Sequence, residues 1–365
     1  MIQYLRKVAP KKLAGIAVLR LDFNTEDDWR MKASLPTIQF LLRCAQTVVI
    51  LSHKGRPLGF QPKLSLKKDA DDLAVLLKKD IDFFHSFNFM EIKEKIRHAK
   101  PKSLFMLENL RFMPGEASND QNFAKNLASL GDYYVNDAFA VSHRDDASIT
   151  TIAGFLPSYA GLDFESEIMN LGKIMKRAKR PLVMILGGAK IDDKLGVIKF
   201  FKTKADSFLI GGALANTLLA LKGIDVGKSI YEKKVSRDIR ELLNYKNLVL
   251  PEDYRMYDSA ILDIGPKTEK MFEEKIRGAK TIVWNGPLGM IEQAAFEKGT
   301  FAIGKAIAEN KLAFSVVGGG ETVMFLKRSG LDKDISFIST GGGAMLDFLA
   351  GKKLPGIAAL ERSRK

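Results

Sequence analysis

Lys190 and Lys194 bracket Ile191-Asp192-Asp193 just after Gly187-Gly188, and this glycine pair follows the apolar run Leu182 to Leu186. At that spacing one helical turn separates two ammonium groups on the same face, beside glycine amides that a phosphate can approach closely. Two further runs, Gly318-Gly319-Gly320 and Gly341-Gly342-Gly343, also follow short apolar stretches. A buried strand that ends in glycine and feeds a helix aims unpaired N–H groups and the positive helix end at one spot, so three such turns point to a nucleotide polyphosphate. Glu321, next after the second run, is the candidate partner for a nucleotide-borne Mg²⁺, which needs little more than one acid beside the phosphates.

The first half offers different chemistry at its strand ends. Arg20-Leu21-Asp22-Phe23-Asn24, the stretch Ser52 to Pro57 with His53 and Arg56, Glu108 to Phe112 with Arg111, and the run from Asn136 to His143-Arg144 each supply an arginine. A guanidinium gives planar, bidentate recognition of carboxylate or phosphate, so a convergent set implies a small, multiply anionic substrate.

The elements that must position these groups are short apolar runs alternating with longer helical patterns. Ile16 to Leu21, Val48 to Leu51, Leu104 to Leu107 and Tyr133 to Val135 form a first series. Leu182 to Leu186, Ser207 to Ile210, Leu248 to Leu250, Thr281 to Trp284, Phe314 to Val317 and Ile335 to Ile338 form a second. Such alternation implies an α/β fold with parallel sheets covered on both faces and ligands beyond the carboxyl ends of the strands. Between the series, Asp163 to Arg180 carries Phe164, Ile168, Leu171 and Met175 at helical spacing, with acids at its start and bases at its end, which reads as one long helix joining two domains.

Composition narrows the function classes. A chain of 365 residues implies two domains. The single cysteine, Cys44, excludes an intramolecular disulfide framework and fits a reducing compartment. No apolar run reaches the roughly 18 residues of a membrane span, and the start lacks a signal-peptide core, so a soluble cytoplasmic protein is expected. The net charge of +14 invites a nucleic-acid reading, but the charge is dispersed and no aromatic-interleaved or helix-turn-helix pattern accompanies it.

Two motifs mislead. Gly223 to Ser229 is similar to a phosphate-binding P-loop but has three residues between its glycines where four are needed. His143-Arg144-Asp145 is similar to a protein-kinase catalytic loop, yet Thr150 stands where asparagine is required. The four histidines, His53, His85, His98 and His143, lack metal-ligand spacing.

Taken in order, Leu51 to Pro57, Leu107 to Phe112, Leu186 to Lys190, Asp263 to Thr268, Trp284 to Pro287 and Ser339 to Ala344 resemble the signatures of the phosphoglycerate kinase family, and the resemblance spans Val18 to Glu361. It implies two Rossmann-like, doubly wound parallel-sheet domains joined by a long hinge helix. The implied domains are 1–162, binding 3-phosphoglycerate, and 181–353, binding the nucleotide, with 163–180 between them and 354–365 returning to the first. The implied reaction is reversible phosphoryl transfer between 1,3-bisphosphoglycerate and ADP, with Mg²⁺ bound to the nucleotide, in a monomer that engages neither nucleic acid nor membrane.

The resemblance assigns Asp22, Asn24, Arg30, His53, Arg56, Arg111 and Arg144 to the substrate, with Arg20 and His143 completing a basic patch. It assigns Lys190, Lys194, Gly211, Gly212, Asn285, Glu292, Gly318, Gly319, Gly320, Glu321 and Thr322 to the nucleotide. Lys194 and Arg30 would approach the transferring group, and the amides of Gly342 and Gly343 would offset charge in the transition state.

Several positions depart from the family pattern. Thr25 to Asp28 is shortened, Asp146 replaces a basic-patch histidine, Ser166 a lysine, Ala213 a glycine, Asn216 an aromatic and Glu321 an aspartate. The acid at 146 is expected near Arg144, where it would weaken anion attraction. Two rival readings are another ATP-dependent carboxylate-phosphorylating enzyme and a nonenzymatic nucleic-acid binder.

Overall fold

The computed structural model describes residues 1–25 and 27–363. Glu26, inside the shortened loop, and the last two residues of the 354–365 segment lie outside the described residues. The chain forms two compact units, one of Met1–Met169 with the segment from Lys353 onward, the other of Asn170–Lys352.

The sheet of the first unit contains β1 (Ile16–Arg20), β2 (Thr47–Leu51), β3 (Asp82–Phe84), β4 (Ser103–Leu107), β5 (Tyr133–Asn136) and β6 (Ser158–Ala160). Their spatial order is β3-β4-β2-β1-β5-β6, with every pair parallel. Continuous burial of β2, all five residues of Thr-Val-Val-Ile-Leu, is what a strand covered by helices on both faces requires. Chain direction across the sheet reverses at β1, which pairs with β2 on one side and β5 on the other. Ligands of such sheets bind beyond the strand ends at that switch point.

The second unit repeats the plan with β7 (Leu182–Leu186), β8 (Ser207–Ile210), β9 (Leu248–Val249), a hairpin of β10 (Tyr254–Tyr257) and β11 (Ala260–Ile264), then β12 (Thr281–Asn285), β13 (Phe314–Gly318) and β14 (Phe337–Ile338). The six-stranded sheet runs β14-β13-β12-β7-β8-β9 and is parallel throughout. Its reversal lies between β7 and β12, so the turns after Leu186 and Asn285 meet at the switch point.

Sequence patterning does not show β3, β6 or the hairpin. β3 and β6 are three residues each, too short for alternation, and β10 is half exposed at the edge of a two-stranded ribbon. The expected strand from Ile335 begins only at Phe337, after the 3₁₀ turn Asp332–Asp334.

The long helix covers Leu162–Arg177 and stops three residues short of the expected Arg180. Pro181 disfavours helical geometry in the residue before it. Arg180 is drawn into an ion pair with Asp206, whose other oxygen accepts from the Leu182 nitrogen at 2.6 Å. The other end is capped from unit one: Thr37 Oγ1 accepts from Leu162 N at 2.9 Å, and Asp137 Oδ1 from Phe164 N at 3.0 Å. The helix Pro355–Arg362 packs into the first unit, where Ala359 joins the core and the Gly356 nitrogen donates to Ser142 O at 2.9 Å.

Candidate active site

Beyond β1 the chain leaves the sheet as Leu21 to Asn24, and its side chains turn toward one another. Asp22 Oδ2 holds Arg30 at 2.7 Å, while Oδ1 accepts from Asn24 N at 3.1 Å. Asn24 Oδ1 accepts from the Gly55 nitrogen at 2.8 Å, which ties this loop to the one after β2. Arg111 donates to Gly55 O at 2.8 Å from the loop after β4. Arg56, Arg111, His143, Arg144 and Asp146 line one cavity of about 780 Å³, walled on its apolar side by Leu58 and Phe112. Neighbouring guanidiniums and burial oppose the charge on Arg144: burial, then Arg111 and Arg56, lower its pKa.

His53 is fully buried. Arg20 Nη2 lies 3.1 Å from its Nδ1, and a guanidinium can only donate, so Nδ1 accepts and the ring proton belongs on Nε2. That Nε2 is buried without a hydrogen-bond partner among the described residues. Burial, then Arg20, Arg111, Arg144 and Arg30, holds the imidazole pKa well below its ordinary value, so the ring is a neutral donor at pH 7.

Arg20 itself differs from the expected patch residue facing an anion. It has no exposed surface, and its guanidinium is consumed by Ser148 Oγ at 2.7 Å, the Leu21 carbonyl, His53 and Glu116. The reason is a group that no motif revealed. Glu116, in the four-residue helix Pro114–Ala117, is fully buried with Oε1 3.7 Å from Arg20 Nη2 and Oε2 accepting from Ser148 N at 3.0 Å. Burial raises its pKa against the attraction of Arg20. Asp146 lies near Arg144 as expected, its charge opposing the fall in the Arg144 pKa, and its Oδ2 also pairs with Arg111 at 3.2 Å, where both side chains are nearly buried.

In the second unit a cavity of about 320 Å³ opens at the switch point, lined by Gly188, Ala189, Gly212, Ala213, Asn216, Glu292 and Glu321 among others. Gly212 has φ of +59°, and a Cβ there would stand 2.6 Å from the Gly188 nitrogen, so the turns after β7 and β8 touch backbone to backbone. Gly211 caps the helix Gly212–Leu221. Gly319, φ +98°, caps the helix Gly320–Arg328 after Gly318, and Gly342 caps Gly343–Leu349.

Of the expected nucleotide residues, Gly212, Glu292 and Glu321 line this cavity, whereas Lys190, Lys194, Gly211, Asn285, Gly318, Gly319, Gly320 and Thr322 do not; nor do Gly342 and Gly343, expected to offset transition-state charge. The two lysines also do not share a helix face. The helix starts at Asp192, leaving Lys190 exposed on the preceding glycine turn, while Lys194 is buried and donates to Lys190 O at 2.7 Å. Burial lowers the Lys194 pKa; Asp193 and Glu321 oppose that shift. Thr322, expected among the nucleotide contacts, is fully buried with its Oγ1 accepting from Gly286 N at 3.0 Å, so its side chain braces the turn after β12.

The hairpin missed in the sequence supplies Tyr254 and Ala260 to Ile264 to the cavity wall. Asp263 is buried there, accepting from Gly299 N at 2.8 Å and Ile264 N at 2.9 Å. Burial pushes its pKa up to about 6. Folding therefore favours the protonated acid, a contribution present below pH about 4 and lost as pH rises through about 6. Asp263→Asn should remove this slope, so the melting-temperature difference between variant and wild type should shift in the variant's favour from pH 4 to 6.5. A difference that is constant with pH would show that Asp263 is ionised throughout.

Among the described residues no helix is long and apolar enough to cross a membrane. The family model described as phosphoglycerate kinase matches residues 17–352. The chain belongs to the phosphoglycerate kinase family. It is 42% identical to the phosphoglycerate kinase of Dictyoglomus turgidum, over 96% of each chain, and 41% identical to that of Desulfosudis oleivorans, over 96% of this chain and 98% of the relative. Among solved structures it is similar to phosphoglycerate kinase from Pyrococcus horikoshii, with TM-score 0.87 and 32% identity over 99% of each chain. The structure from Coxiella burnetii gives TM-score 0.83 and 32% identity over 100% of each chain. Its activity is that of a phosphotransferase of glycolysis, moving a phosphoryl group between 1,3-bisphosphoglycerate and ADP to give 3-phosphoglycerate and ATP.

Proposed function

We propose that the first unit binds 3-phosphoglycerate through His53, Asp22, Asn24, Arg30, Arg56, Arg111, His143 and Arg144, and that the second binds ADP or ATP at the turns after β7, β8, β12 and β13. The observation that carries the substrate site is the buried Nε2–H of His53, which has no acceptor among the described residues. A buried donor left unpaired costs about 1–3 kcal/mol, and a carboxylate or hydroxyl oxygen of the substrate removes that cost. The surrounding arginines supply bidentate contacts to its anionic ends, and Arg20 works from beneath by holding the tautomer.

Transfer demands little covalent chemistry of the protein; alignment of two oxygens in line, charge stabilisation and exclusion of water suffice. Lys194 spends one of its three N–H donors on Lys190 O, and the other two are available to the transferring group. Arg30 keeps Nε buried without a partner among the described residues while Nη1 is anchored to Asp22. The N–H groups at the starts of the Gly320 and Gly343 helices are oriented toward added negative charge.

No cluster of three or more His, Cys, Asp or Glu that could hold a metal exists among the described residues. A nucleotide-borne Mg²⁺ fits this donor set, since such an ion takes one or two carboxylates and otherwise phosphates and water. Glu321, exposed at the cavity wall, is the residue that would hold it. The ion would neutralise phosphate charge. Glu321→Gln should raise the Mg²⁺ concentration needed for half-maximal activity several-fold at unchanged 3-phosphoglycerate affinity, and identical Mg²⁺ titrations of both proteins would exclude Glu321 from the metal site.

Because each ligand set belongs to a different unit, turnover requires the ligands to be brought together, with Leu162–Arg177 as the hinge. Scattering should show a smaller radius of gyration with both substrates bound than with neither; an unchanged radius would rule the hinge motion out. A cytoplasmic monomer is part of this reading, and the single Cys44 suits a reducing compartment. The deciding experiment is a coupled assay in which MgATP yields ADP only when 3-phosphoglycerate is present. Folded protein without that dependence would overturn the assignment.

A further inference from the structure

We propose that Asn216 makes the nucleotide site select its base, favouring a purine with an amino group at C6 over one with a carbonyl oxygen there. The inference rests on the second unit being the nucleotide site and adds a specificity determinant to it. The helix Gly212–Leu221 begins against the Gly188 backbone, and Asn216 follows Gly212 by four residues, about 6 Å along the same face. Both residues line the same cavity.

The rest of that wall is mostly apolar, with Ala213, Ala215, Ile230, Leu262, Leu288 and Met290. Its other polar side chains are committed or assigned. Lys228 is paired with Asp258 at 2.8 Å, Asp263 accepts from two backbone nitrogens, and the Tyr254 hydroxyl reaches Pro251 O at 3.4 Å. Glu292 and Glu321 are exposed acids suited to ribose hydroxyls and to the metal.

Asn216 is 6% exposed, and its Nδ2 donates to Ile230 O at 3.2 Å. A backbone carbonyl can only accept, so this bond settles which end of the amide is which. Oδ1 is left as an acceptor on a residue that lines the cavity, without a hydrogen-bond partner among the described residues. In apolar surroundings a lone acceptor discriminates strongly. Adenine offers N6–H₂ as a donor, whereas guanine and hypoxanthine present O6, an acceptor facing an acceptor.

ATP and ITP differ at this edge of the ring, so they are the probes. With 3-phosphoglycerate as acceptor, wild type should show kcat/KM for ATP roughly tenfold or more above that for ITP, carried mainly by KM. ADP should bind more tightly than IDP by a similar ratio in calorimetry. Asn216→Ala and Asn216→Ser should bring both ratios toward one, chiefly by weakening the adenine nucleotide. Equal use of ATP and ITP by wild type overturns the proposal without any variant. Variants that lose both nucleotides in equal proportion overturn it too, because that is the signature of a merely structural side chain. Absence of turnover with every nucleotide overturns the activity on which the proposal rests, while the ADP-to-IDP binding ratio still decides the role of Asn216.

Discussion

Arg30→Ala and Lys194→Ala should each lower kcat by on the order of a hundredfold or more, the usual consequence of removing one preorganised donor from a developing charge. Lys194 is 4% exposed, so its ammonium acts in a medium where charge is poorly screened. Arg30 is held by Asp22 at 2.7 Å and stacks over Trp29, with the guanidinium carbon 5.3 Å from the ring centroid, so little reorganisation remains when the reaction occurs. Steady-state kinetics with both substrates varied, together with circular dichroism to confirm folding, measures the effect. A loss confined to KM would place either residue in ground-state binding instead of transition-state stabilisation.

Glu116→Ala should destabilise the protein by about 3–5 kcal/mol, because it strands the Arg20 guanidinium as an uncompensated buried charge. Both side chains have no exposed surface, so water does not relieve the cost. Denaturant titration should show a lower midpoint with an unchanged slope. Affinity for 3-phosphoglycerate should fall as well, since Arg20 released from Glu116 no longer fixes the His53 tautomer. A loss below about 1 kcal/mol would mean that the pair behaves like a solvated surface bridge and does not support the site.

The sequence alone determined the α/β class, the two units and the family. In parallel α/β sheets the ligand-facing residues follow directly on each strand, so the arginines after β2 and β4 and the glycine turns after β7 and β13 are contiguous with the apolar runs that announce them. That contiguity made an arginine-bearing α/β unit, a glycine-turn α/β unit and the helix between them legible. The tertiary structure decided what each group contacts. Glu116 reaches Arg20 across 96 residues, Asp146 reaches Arg111 across 35, and Lys194 turns inward while Lys190 stays in solvent. No periodicity encodes these pairings, because they depend on where separate loops converge beyond the sheet. The short edge strands β3 and β6 were hidden because three residues are too few to show alternation, and the β10–β11 hairpin because the exposed side chains of β10 leave no burial pattern.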